Sequence, residues 1–293
     1  MGFSEESEEL ADKELTTASS FSPRLRTALR YAVAFLLSLV ILIPFYFVFT
    51  GAFKTNRELI SPEPTFWPHE LVFENFTKLF TVSQYPTYLM NSIIVSSLSM
   101  VINVLLVTLA SYSIYRCRYR GRQGIFVAVI GVYVFPAIVL MVPIYQMLGA
   151  LGLVDNILGL VVVNVTFAAP FSLWLMGPFF DSVPRSVEEA AALDGAGRLS
   201  VLFRVILPLV APGIGTIAVY SFIASWTEYA FANILILSEE SKTLPVGLAR
   251  FITQYFTDWG MLNAGATVTA LPVIVLFAFV GRYFVESITG SIK

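Results

Sequence analysis

Six stretches without a single Asp, Glu, Lys or Arg constrain this sequence more than any other feature. They run from Tyr31 to Phe53, Leu79 to Tyr115, Gln123 to Val154, Asn156 to Phe180, Val205 to Thr227 and Trp259 to Gly281, and are 23, 37, 32, 25, 23 and 23 residues long. A helix crosses the hydrocarbon layer with about 20 apolar residues. A charge at mid-bilayer costs roughly 2.5–3.5 kcal/mol on insertion scales. Each run therefore suits one span. The run of 37 has room for a span and an interfacial segment, but not for two spans with a loop. The alternating segments of about 10 residues that mark a membrane β-barrel are absent. The expected fold is an all-α, multi-pass membrane protein. Its six helices are expected at about 30–52, 87–113, 124–147, 157–179, 208–230 and 261–281. Prolines within or near these spans are tolerated better in lipid than in water.

Composition excludes several function classes. The chain is 57% hydrophobic and 13% charged, against about 25% charged for soluble domains. A net charge of −2 supplies no field to draw it to nucleic acid. One cysteine, Cys117, and one histidine, His69, allow no intrachain disulfide, no CxxC site and no histidine cage, so no metal site is expected. The neutral runs hold no carboxylate pair and no Ser/Lys pair with which a membrane enzyme could work. None of the five lysines follows a glycine, so the chain has no Walker A loop to cradle phosphates.

Orientation follows from the basic residues. With the N-terminus in the cytoplasm, 13 of the 18 Lys and Arg face inward, including the cluster Arg116, Arg118, Arg120 and Arg122. Both termini are then cytoplasmic, and that cluster reads as an anchor compatible with anionic lipid. The Glu-rich start, 1–28, reads as a cytoplasmic tail. It is acidic, and the apolar stretch after Arg30 is too long for the core of a cleaved signal peptide. Outside lie 54–84, with Pro62, Pro64, Trp67 and His69, and 232–258, with Glu239, Glu240 and Lys242. His69 reads as a surface residue. The segment 232–258 reads either as a plain surface loop or as a dock for an external partner.

Between the fourth and fifth runs, charge returns on both sides of a glycine pair. Ser186 to Glu189 has capping-box spacing, with Pro184 upstream. Glu188 and Glu189 fall in the first turn, where the helix dipole favours acid. Val187, Ala190, Ala191 and Asp194 share a face, and Gly195 and Gly197 end the helix. Leu199, Leu202, Phe203 and Ile206 form the stripe of a second short helix, which Leu207–Pro208 ends or kinks. Two short amphipathic helices between spans either pack on their own bundle or offer a small-residue face to a partner.

The pattern Glu189-Ala190-Ala191, three residues, Gly195, nine residues, Val205-x-Leu207-Pro208 resembles the EAA loop of permease subunits of ABC importers. With Asp194-Gly195-Ala196 and Pro212 it is similar to the carbohydrate-importing, MalG-like branch. Asn91-Ser92, the basic loop to Arg122, Gly149 to Leu160, Trp226-Thr227-Glu228-Tyr229, Thr243 to Leu248 and the tail from Arg282 agree in order, over about residues 30–293. Val205, Thr227 and Ser287 stand where Ile, Asn and Gly are usual.

The resemblance implies a MetI-like, type I importer permease without ATPase activity of its own. The loop 184–208 would dock on a separate ATPase through Glu188, Glu189, Ala190, Ala191, Asp194, Gly195, Ala196, Leu207 and Pro208. ATP and Mg would be held by a dimer of ATP-binding subunits. A second permease would complete the path, and an extracytoplasmic solute-binding protein would deliver a sugar. The same architecture for glycerol phosphate, a polyol or an amino acid is the other reading. Asn91, Ser92, Asn103, Asn164, Trp226, Thr227 and Glu228 are polar or amphipathic groups in the spans that could line the path. The competing role for most of the polar ones is bonding between helices.

Overall fold

The computed structural model of the chain describes residues 23–252 and 257–290. The expected tail lies outside these up to residue 22, as do the last three residues. Residues 23–28, expected as tail, are already helical.

Helix α1, Pro23–Gly51, is described by itself; Pro44 lies inside it without ending it. Then follow α2 (Asn56–Leu59), α3 (Glu74–Thr81) and α4 (Tyr85–Ser111), which continues as a π turn over Tyr112–Arg116. Next come α5 (Arg122–Val132), α6 (Ala137–Ala150) and α7 (Ile157–Ser182). The charged segment between the fourth and fifth runs supplies α8 (Arg185–Leu193) and α9 (Arg198–Leu209), the latter with a π turn over Leu202–Ile206. The remainder is α10 (Ala211–Trp226), α11 (Ala230–Leu235), α12 (Leu244–Ala249) and α13 (Trp259–Gly290). No strand occurs among the described residues apart from the single bridge Ile252–Thr257.

Four helices are long and apolar enough to cross a membrane, and six spans result when each of two bent pairs counts as one. The third span, expected as one helix, is broken: α5 and α6 meet at 99°. Pro136 has no N–H, its ring excludes a continuing helix, and it pushes Phe135 towards extended backbone. The fifth span is shorter than expected. α9 runs through Leu207–Pro208 to Leu209, and the 77° bend falls at Val210, just before Pro212 at the start of α10.

Helices α4, α7 and α10 pack on one another, and α13 lies against α10. Their approach is close. A Cβ added at Gly213 of α10 would come within 2.6 Å of the Phe179 ring of α7. At the crossing, Asn103 of α4 donates to Ser172 of α7 at 2.8 Å and to Ser221 of α10 at 2.5 Å. Nearer the start of α7, Asn164 donates to Ser225 of α10 at 2.7 Å. Tyr85 of α4 donates to the Gly265 carbonyl of α13 at 2.9 Å. Without water to serve as partner, these groups find one another across helices.

Candidate coupling and translocation sites

The coupling segment is built differently from its capping-box reading. Helix α8 starts two residues early, at Arg185, with Pro184 in extended backbone at the N-cap and no side-chain cap. Pro184 sets the entry angle, so Ser186 lies inside the first turn rather than ahead of it. The end of α8 explains Asp194-Gly195-Ala196. Gly195 has φ +83° and donates its N–H to the Ala192 carbonyl at 3.0 Å, while Ala196 donates to Ala191 at 3.0 Å. This double closure is a Schellman motif, which requires a left-handed residue at the Gly195 position. Ala191 and Ala196 turn toward the core beside Val201, Leu202 and Ile206.

The expected stripe of the second helix is split. Leu202 and Ile206 are buried, whereas Leu199 and Phe203 are exposed. The π turn adds a residue per turn and so rotates the inward face. Glu189, Ala190, Asp194 and Pro208 are exposed as well, and Leu207 is half-buried. Leu193 is 89% exposed. The segment thus presents apolar and acidic groups that its own bundle leaves uncovered.

Glu188 faces the other way. It pairs with Arg116 at the end of α4, and the same guanidinium donates to the carbonyls of Phe180 at 3.1 Å and Val183 at 2.9 Å. Arg116 thus has a structural role that its place in a cluster of basic residues does not reveal.

The residues considered for the path separate into three groups. Asn91 donates to the carbonyls of Glu240 and Lys242 at 2.7 and 2.9 Å, and Ser92 accepts from the Leu244 N–H at 2.8 Å. Both hold the loop 238–244 onto α4, with Tyr88 bonded to Glu239. Asn103 is fully enclosed at the three-helix crossing, Trp226 is buried and stacked on Phe222 at 5.5 Å, and Thr227 returns its hydroxyl to Ile223. Of these, only Asn164 and Glu228 line a cleft of about 430 Å³ between α7, α10 and the break of the third span. Tyr133, Phe135, Phe167 and Tyr220 line it with them. The sequence reading missed these aromatics because aromatic residues in a charge-free run look alike whether they face lipid or a cavity.

The outer loop is anchored by carboxylates. Asp155 accepts from the N–H groups of Leu237 and Ser238 at 2.9 and 2.8 Å, which holds its carboxyl below the usual range. Glu239 pairs with Lys242 at 2.5 Å and Arg250 at 2.7 Å; Lys242 and Tyr88 together lower its pKa.

Long apolar helices, two of them broken into bent pairs, define a multi-pass membrane protein. The chain matches the family described as binding-protein-dependent transport system inner membrane component over residues 116–289, and it belongs to that family. It is 35% identical over 258 residues to the inner membrane ABC transporter permease protein YcjP of Escherichia coli (strain K12), covering 87% of this chain and 92% of that one. It is 30% identical to the diacetylchitobiose uptake system permease protein DasC of Streptomyces coelicolor, covering 89% and 95%. It is 31% identical to the trehalose/maltose transport system permease protein MalG of Thermococcus litoralis, covering 89% and 94%. The fold is that of a chain in the crystal structure of a bacterial ABC transporter for import of the acidic polysaccharide alginate. The TM-score is 0.78 at 23% identity, over 90% of this chain and 99% of that one.

Proposed function

We propose that this chain is one permease subunit of an ATP-driven sugar importer, with both termini in the cytoplasm. It forms the path with a second permease. It takes solute from an extracytoplasmic binding protein and contributes no ATPase activity itself. The observation that carries the coupling role is the two-sided helix α8, with Glu189 and Leu193 uncovered and Glu188 bonded inward to Arg116. A docked dimer of ATP-binding subunits, holding ATP and Mg²⁺, moves α8 when it closes. That movement biases the bundle between two access states, because ATP binds one state better. The names of DasC and MalG supply the sugar class.

The test is co-purification of the tagged chain in mild detergent, followed by ATP-driven uptake in proteoliposomes. Recovery of a Walker A ATPase and a second permease, with uptake abolished by Glu189→Lys, supports the reading. Recovery of the chain alone from native-level expression overturns it. Cys117, the only thiol, tests orientation: labelling by an impermeant maleimide in intact cells would reverse the topology.

A further inference from the structure

We infer that the cleft at the break of the third span is a subsite for an uncharged sugar, contributed by this subunit itself. This rests on the importer reading and adds the charge of the solute and the residues that hold it.

The first observation is the break. Backbone that leaves the helix at membrane depth is tolerated only where protein buries it or where it lines a cavity. The 99° turn between Val132 and Ala137 lines this cleft, and broken spans are where transporters place solute. The second is the polar inventory. Asn164 is nine-tenths buried; its Nδ2 is committed to Ser225, but its Oδ1 has no hydrogen-bond partner among the described residues. The Glu228 carboxylate is held by the N–H groups of Phe231 at 2.7 Å and Ala232 at 2.9 Å, so its direction is set before any solute arrives. Tyr133 and Tyr220 line the same cleft.

The third is the aromatic wall. Phe171 stands behind it, 4.7 Å from the Tyr220 ring and 6.1 Å from that of Tyr133, and holds both in place. The electron-rich ring faces favour the weakly positive C–H face of a sugar ring. Hydroxyl acceptors beside flat apolar walls, in a volume within the usual range for small-molecule sites, suit a hydroxylated ring.

The fourth is charge. The residues lining the cleft include one carboxylate and no Lys or Arg. An anionic solute would find no counter-ion among these residues. The cleft therefore favours neutral sugars over uronates, sulfonates and phosphates.

The test uses the whole complex in proteoliposomes with its binding protein. Its solutes are radiolabelled neutral oligosaccharides of glucose and N-acetylglucosamine, oligogalacturonate and glycerol 3-phosphate. We expect uptake of a neutral sugar only. Tyr220→Ala should raise its KM about tenfold while binding-protein-stimulated ATP hydrolysis persists. With Cys117→Ser as background, Ala224→Cys should react with a maleimide, and the transported sugar should protect it. Neutral-sugar uptake with an unchanged KM and no protection overturns the subsite and leaves the importer standing. Uptake of oligogalacturonate or glycerol 3-phosphate in preference overturns the charge selection. No ATP-driven uptake of any solute, from an assembled complex, overturns the importer reading on which the subsite rests.

Discussion

Arg116 and Glu188, 72 residues apart, form an ion pair that joins the inner end of α4 to the first turn of α8. The Arg116 side chain is 5% exposed, and its Nη1 donates to the carbonyls of Phe180 and Val183 at the end of α7. One guanidinium thus ties α8 to two of the three central helices.

Replacing Arg116 by Ala should uncouple the protein. Removing one partner of a buried pair costs about 3–5 kcal/mol; the low end applies here, because Glu188 is partly exposed. We expect Arg116→Ala to insert and assemble, yet to lose at least about tenfold in ATP-driven uptake. Lys restores the charge but not the planar fork that serves a carboxylate and two carbonyls together, so Arg116→Lys should recover only part of it. Uptake and ATPase assays on the same preparation separate uncoupling from misassembly. Normal uptake in Arg116→Ala would remove the joint.

Gly195 should tolerate substitution by conformation, not by size. A Cβ there meets nothing within 4 Å, but φ is +83°. Left-handed backbone costs an ordinary residue roughly 1–2 kcal/mol, and Asn less. Gly195→Asn should therefore retain most uptake, whereas Gly195→Val should lose it while the protein still inserts. Equal uptake by the two would show that the Schellman closure is dispensable.

Much of this architecture was legible because the penalty for a charge in lipid acts on every residue of a span. The six neutral runs follow from it, and so does the coupling segment that interrupts them. What stayed hidden depended on three-dimensional context. Pro136 breaks a span, while Pro143, Pro170 and Pro178 sit inside intact helices. Nothing local distinguishes them. Arg116 looked like Arg118 and Arg120 until the fold placed Glu188 beside it. Asn91 and Ser92 looked like path residues because the backbone they serve, 240–244, lies about 150 residues further on.

Asn103 should prove a modest contributor despite its enclosure. Hydrogen bonds between membrane helices average about 0.6 kcal/mol and reach about 1.7. Because Asn103 serves two serines, Asn103→Ala should destabilise toward that upper figure, with uptake kinetics near wild type. Unfolding in mixed micelles reads the stability. A loss of uptake without a loss of stability would instead place Asn103 on the path.

The outer loop should loosen in acid. Both anchoring carboxyls, Asp155 and Glu239, lie below their ordinary values because they accept hydrogen bonds in the folded loop. A depressed folded pKa contributes stability above the unfolded value, which is lost as pH falls through the folded one. The anchors are thus complete at neutral pH and fail from about pH 4 downward. Hydrogen exchange at the Leu237 and Ser238 amides should be slow at pH 7 and lose its protection in acid, after correction for intrinsic rates. Asp155 has φ +56°, a conformation Asn accepts, so Asp155→Asn should keep the turn. It should weaken protection at pH 7 and flatten its pH dependence. Unchanged acid-dependent protection in Asp155→Asn would assign the anchor to Glu239 alone.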